Sequence, residues 1–337
     1  MRNFNRFGCL LLAAFALSGC GPEQQATPSG PATDSTVAAK SEAQPKTYRI
    51  AFSQCNSAEP YRTVQNAIFK RNAARLGNEI SLVIHDAQQD NAKQVAQIEN
   101  IIQQGVDLLI VAPNESAPLT SVVKKAHDAG IKVICLERDL LEPVYDLFVG
   151  ADNVKIGEMA GQFVQEYLAG KSTDAPVVVE LKGLLGSMPQ EERHTGARKY
   201  IDTVPNVSVL DEVGNWLQDE GRKRMETLLQ ANPKIDVVYA HNDPMAAGAY
   251  LAARDAQRDT EMIFVGVDGL GGPDGGIKKV MDGVLACTFI YPPCAAEALD
   301  YSVKMLRGET VPERVILEPS RVTVENAAEL YQNATVE

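Results

Sequence analysis

The 337-residue sequence is poor in positive charge, in metal-type cysteine spacing and in long apolar runs. It carries 32 Lys and Arg against 44 Asp and Glu, a net of −12 with histidine neutral. A surface of that sign repels phosphate backbones, which argues against a nucleic-acid partner. Six cysteines are present, yet none stands in a CxxC pair or a Cys/His ligand spacing, so no structural metal is expected. "GLGGPDGG" (269–276) lacks the Lys-Ser/Thr of a phosphate loop and misses the dinucleotide glycine spacing. It reads as a flexible loop between strand and helix, and no cofactor is expected. There is also no nucleophile elbow and no metal triad, so the chain does not read as an enzyme.

The one exception to the shortage of apolar runs is the start. Arg2 and Arg6 precede "FGCLLLAAFALSG", too short to span a bilayer and laid out like a secretory signal. It ends in Leu17-Ser18-Gly19-Cys20, which resembles a bacterial lipobox with Cys20 as the lipidated residue. Gly21 rather than Asp follows, favouring outer-membrane retention in a Gram-negative cell. Without residues 1–19, which hold two Arg and no acid, 30 basic residues face 44 acidic ones, a net of about −14. Residues 21–46 have no aromatic and no hydrophobic period, and are rich in Pro, Ser, Thr, Ala and Gln. They read as a tether whose mean reach is roughly 30 Å. Of the remaining cysteines, Cys135 and Cys287 lie in apolar strands where buried thiols are common, and a disulfide among Cys55, Cys135, Cys287 and Cys294 is left open.

From residue 48 the pattern changes to alternation. "RIAFS" (49–53), "ISLVIH" (80–85), "DLLIVA" (107–112), "KVICL" (132–136) and "LFVGA" (147–151) have strand length and β-branched content. Helical stretches separate them, such as "NAKQVAQIENIIQQG", with Val95, Ile98, Ile101 and Ile102 on one face and Gly105 as its C-cap. A second series follows: 177–183, 207–213, 236–242, 262–268 and 285–291, with helices starting near Met188, Gln218, Pro244 and Pro273. Two sets of about five βα units predict an α/β protein of two doubly wound parallel-sheet lobes. A single eight-stranded barrel fits ten strands and the tail poorly. A helix near 294–307 and the strands "RVILE" and "SRVTVE" suggest that the chain returns to the first lobe and crosses back, giving a three-segment hinge. The expected division is 1–19 signal, 20–46 lipidated cysteine and tether, 47–151 with 292–318 as one lobe, and 152–291 with 319–332 as the other.

Polar residues gather where strands end: Ser53-Gln54, Glu137-Arg138-Asp139, Gly214-Asn215-Trp216, His241-Asn242-Asp243 and Asp268-Gly269. In doubly wound sheets these ends share one edge, and two facing edges would enclose a polar crevice with one aromatic plate.

Four tokens, "AHNDPMAAGA", "VGVDGLGG", "CLERD" and "CTFIYP", together resemble the type I periplasmic solute-binding proteins, the ribose- and galactose-binding group. The likeness runs from about Arg49 to Val324. It implies that Asn242 and Asp268 hydrogen-bond ligand hydroxyls, as suits a vicinal diol. It implies that Arg138 and Arg193 fork onto sugar oxygens, that Trp216 stacks on an apolar sugar face, and that Ser53 and Tyr61 are first-loop contacts. Alternatives stand beside these roles. Asp268 before Gly can serve as a turn residue, and Asn242 can cap the following helix, although Asp243 is the better capping candidate. Arg138 can be part of a surface ion pair, Arg193 can be solvated, Trp216 can be core, and His241 reads as a structural neighbour.

The chain departs from the ribose-type pattern at Glu59 and Arg62 (usually Asn and Phe), Ala112 (Asn), Glu137 (Asp) and Tyr291 (Gln). Glu137 and Tyr291 are counted with the ligand-facing residues. These changes put ribose in doubt and are compatible with a hexose, a polyol or a modified sugar. The implied function is a lipid-anchored, extracytoplasmic, monomeric receptor for a small sugar or polyol that feeds an ABC import permease by hinge closure. The alternative is a subunit presenting its closed state to a sensor kinase or chemoreceptor. A transcriptional repressor of the same fold is contradicted by the export signal.

Overall fold

A computed structural model describes residues 46–334. The signal segment, Cys20 and the tether up to residue 45 lie outside the described residues. The first five strands are β1 (Tyr48–Gln54), β2 (Ile80–Asp86), β3 (Leu108–Val111), β4 (Lys132–Leu136) and β5 (Leu147–Ala151). Between them run α1 (Pro60–Leu76), α2 (Asn91–Gln104) and α3 (Ser116–Asp128). The buried residues Ile98 and Ile101 of α2 face the sheet, and Gly105 ends that helix in the left-handed conformation.

The second series is α4 (Asn153–Ala169), β6 (Val177–Lys182), α5 (Met188–Ile201), β7 (Ser208–Val213), α6 (Gln218–Ala231), β8 (Val237–Ala240), α7 (Asp243–Asp255), β9 (Ile263–Val265), α8 (Gly276–Met281) and β10 (Thr288–Ile290). The tail holds α9 (Ala295–Leu306), β11 (Arg314–Leu317), β12 (Ser320–Val322) and α10 (Ala327–Ala334).

Two parallel sheets result. One has the order β11-β5-β4-β3-β1-β2 and the other β7-β6-β8-β9, while β10 pairs antiparallel with β12. Single bridges Val265–Cys287 and Asp268–Ile290 tie β10 to the edge beside β9. The doubly wound, two-lobed α/β architecture is the one the alternation predicts. Apolar side chains fill both faces of each sheet, which is why the strands read as unbroken hydrophobic runs. Helix α9 packs on the first sheet through Ala295, Ala298 and Leu299, although it follows the last strand of the second. The chain therefore passes between lobes after β5, after β10 and after β11.

Three local expectations change. Helix α7 starts at Asp243 with Asn242 as its N-cap: Asn242 Oδ1 accepts from the Met245 amide at 3.1 Å. Asp243 turns inward instead, because Gly266 and Gly276 lack the side chains that would collide with its carboxylate. Helix α8 begins at Gly276 rather than Pro273. Strands β9 and β10 are three residues each, and residues 266–268 run on beside 287–291 through the Gly266, Asp268 and Tyr291 amides and isolated bridges rather than as a continuous ladder. Cys55, Cys135, Cys287 and Cys294 are all buried free thiols. No helix among the described residues is long and apolar enough to cross a membrane.

Candidate ligand-binding site

The carboxyl ends of both sheets meet at one small cleft. The first lobe supplies Glu59, Tyr61, Arg62, Glu137 and Arg138; the second supplies Pro189, Arg193, Trp216, Asn242 and Asp268; Tyr291 lies at the crossing between them. Eight of the nine residues singled out in the sequence thus converge. Ser53 does not. It is fully buried within the first lobe, where its hydroxyl accepts from Gln94 Nε2 at 3.2 Å.

In the first lobe the charges are paired off among themselves. Arg62, in the first turn of α1, donates to Glu137 Oε1 at 2.7 Å, and Arg138 Nε lies 3.3 Å from the same oxygen. Glu59 Oε1 accepts from Asn56 Nδ2 at 2.7 Å, and its other oxygen lies 4.0 Å from Arg62 Nε. Arg138 also donates to the Asn114 carbonyl at 3.1 Å. Such buried ion pairs persist only when each charge has a close counter-charge.

The two tyrosines spend their hydroxyls on the chain crossing. Tyr61 donates to the Pro292 carbonyl at 2.8 Å and Tyr291 to the Glu137 carbonyl at 3.0 Å. Their rings stack at 5.3 Å, and burial pushes both phenols well above their ordinary values, so they stay neutral. What they offer to a guest is ring surface.

The second lobe is built differently. Helices α4 and α5 approach so closely at Gly157 and Gly161 that a methyl there would strike the Arg193 and Ala197 backbones. This crossing places Arg193, which donates to Asn153 Oδ1 at 2.9 Å and to the His241 carbonyl at 2.6 Å. Its guanidinium lies 4.6 Å from the Tyr291 ring centre.

Trp216 lies against Gly183, where any side chain would collide with the indole. Arg138 and Arg193 both stand within cation–π range of the ring, at 5.5 and 5.6 Å. The Trp216 Nε1–H is buried without a protein partner, as are Arg62 Nε and Arg138 Nε. Asn242, besides capping α7, donates to the Trp216 carbonyl at 3.0 Å. Each amide end of Asn242 is thus half used by the protein.

Asp268 contrasts with the carboxylates of the first lobe. Among the described residues no hydrogen-bond donor reaches its side chain, and burial, reinforced by the neighbouring Asp243 charge, pushes it well above the usual carboxylate range. Burial pushes Asp243 up to about 7, against the bonds it accepts from the Thr288 hydroxyl at 2.6 Å and the Gly269 amide at 2.8 Å. Glu137, Trp216 and Asp268 all have positive φ, at 55°, 70° and 122°. Strained backbone of this kind gathers at sites whose surroundings over-determine it. His241 sits behind the wall, fully buried, with Nε2 2.9 Å from Glu180 Oε1.

Three guanidinium groups face three carboxylates, a formally neutral lining with acceptor and donor capacity left over. Sequence reasoning singled out Glu59 and Arg62 only as departures from a pattern. Their i,i+3 spacing at a helix start is the signal that they share one face. Pro189 carries no signal beyond its place at the start of α5.

A family profile described as "periplasmic binding protein domain" matches residues 50–310. The ribose import binding protein of Bacillus subtilis is 30% identical over 313 residues, 91% of this chain and 94% of that one. The galactofuranose-binding protein of Escherichia coli is 30% identical, over 83% of this chain and 88% of its own. Among solved structures, the fructose-binding periplasmic domain of a hybrid two-component system superposes with a TM-score of 0.81 at 37% identity, covering 86% of this chain and 95% of that domain.

Proposed function

The chain belongs to the periplasmic binding protein family, and from that premise we propose that it captures one small neutral carbohydrate or polyol between its lobes and delivers it to an ABC import permease. Its relatives are binding proteins of the extracytoplasmic space, not enzymes. The observation that carries the reading is the contrast within the cavity: a charge-balanced lining in which Asp268 keeps its acceptor capacity free. An ionised carboxylate accepts two hydroxyl donors, which a diol supplies. The remaining donors, Trp216 Nε1 and the two guanidinium Nε groups, suit ring or hydroxyl oxygens.

Fructose, galactofuranose and a fucofuranose are the ligands named for three similar structures, and a five-membered ring form is the class we favour.

Capture works by closure. The guest first meets one lobe, and the second adds bonds that exist only when the cleft is shut. The proposed lobes are 47–151 with 292–318 and 152–291 with 319–332; the membership of β11 in the first sheet and the pairing of β12 with β10 support them. The proposed anchor is a lipid on Cys20 of a monomeric receptor.

A second reading, delivery of the closed form to a sensor kinase, is favoured by the likeness to the two-component domain. A thermal-shift panel of fructose, ribose, arabinose, xylitol and myo-inositol tests the main reading. A ligand at 100 times its Kd adds roughly 2.7 kcal/mol, a rise of several degrees. A panel without any shift, beside a shift with an amino acid or nucleoside, would overturn it.

A further inference from the structure

Two strained turns meet across the cleft. In the first lobe Gln88 and Gln89 are both left-handed, with φ of 58° and 62°; in the second so are Asn215 and Trp216, with φ of 52° and 70°. Non-glycine residues adopt this conformation at a cost, and two consecutive pairs facing one another need a compensating contact. That contact is direct: Gln89 Nε2 donates to the Asn215 carbonyl at 3.0 Å.

The first turn is rigidly held. Its Gln89 amide donates to the Cys55 carbonyl at 2.8 Å, and its Gln89 carbonyl accepts from Asn114 Nδ2 at 3.3 Å. The second turn is gripped from behind by Asn242, which takes the Trp216 carbonyl. Gln89 therefore completes a clamp on the peptide units flanking Trp216, from the opposite lobe. A second bond crosses the same gap. Helix α3 has no side-chain cap at Glu115, and its first amide, Ser116 N, donates instead to the Gly186 carbonyl at 3.0 Å.

We propose that Gln89 is a positioning residue for the Trp216 plate: its amide reaches the Asn215 carbonyl only when the lobes close, and so fixes the plate and biases the cleft toward the closed form with or without a guest. The proposal rests on the closure reading above, but not on any sugar being the ligand.

The test therefore uses the protein alone. Trp216 is the only tryptophan, so its emission and its quenching by acrylamide report its exposure without labels. Gln89→Asn keeps a residue suited to positive φ but is too short to reach; Gln89→Glu keeps the length but has no N–H to give. One neutral hydrogen bond shifts the closed-to-open ratio about two- to ten-fold. Both variants are expected to raise the quenching constant and red-shift the emission, at unchanged circular dichroism. Gln89→Lys, which restores a donor of sufficient length, is expected to recover most of the loss. Should either short-range variant fail to fold, the other decides. Quenching equal to the wild type in the folded variants, or a loss that Gln89→Lys leaves uncorrected, overturns the proposal.

Discussion

The two lobes solve opposite problems at the same cavity. The first lobe neutralises itself: Arg62 and Arg138 share Glu137, and Glu59 is held by Asn56. The second lobe leaves Asp268 without a donor and the Trp216 indole N–H without an acceptor. A charge-paired surface keeps its shape before any guest arrives, with only the Arg62 and Arg138 Nε–H groups left to offer; the lobe with the unpaired carboxylate gains most from the guest. The difference teaches that rigidity and selectivity are divided between lobes, with the ion-pair floor as template and the second lobe as reader of hydroxyls.

That contrast can be broken from either side. The largest effect is expected in the first lobe. Glu137→Gln strands two buried guanidinium groups, and should cost roughly 3–5 kcal/mol of stability in denaturant unfolding. In the second lobe, Asp268→Asn should leave the unfolding midpoint near or above wild type, because the ionised form is the disfavoured one there. It should weaken the sugar giving the largest thermal shift by about 10- to 150-fold, the weight of one charge-assisted hydrogen bond of ~1.5–3 kcal/mol.

Closure should also be proton-linked. In the closed arrangement burial raises Asp268 above the usual carboxylate range, and hydroxyl donors from a guest oppose that rise by favouring the ionised form. Affinity should therefore fall as pH drops into the range where Asp268 is protonated, seen in calorimetric titrations at a series of pH values. Trp216→Leu should follow, with a loss of about five-fold, near the ~1 kcal/mol of an aromatic contact.

The smallest effect tests the shell behind the wall. The hydrogen bond that His194 Nδ1 donates to Glu180 Oε1, at 2.9 Å, raises the half-buried His194 above its ordinary value. Its stabilisation is fully present below the unfolded value of about 6.5 and fades as pH rises through the higher folded one. His194→Gln should flatten that slope by well under 1 kcal/mol, since solvent screens the pair.

Much of this was legible in the sequence, because buried parallel strands read as apolar runs and polar residues at their ends mark the facing edge. Glu137, Arg138, Trp216, Asn242 and Asp268 reached the cavity on that logic, whereas Tyr61, Arg193 and Tyr291 rested on the family likeness and its departures. Ser53 fell out because the end of a strand fixes its height but not which neighbour captures its hydroxyl; Gln94, forty-one residues away, does so. The capping roles of Asn242 and Asp243 were exchanged for a similar reason. Both can cap a helix, and only the glycines at 266 and 276 make room for Asp243 to turn inward. The Arg62–Glu137 pair joins residues 75 apart, beyond any local periodicity.

Closure around a guest is the claim on which the account turns, and small-angle scattering tests it most directly. The protein with the sugar of largest thermal shift should scatter as this lobe-to-lobe arrangement does, while the free protein should show a larger radius of gyration. Identical curves with and without a saturating sugar would contradict it.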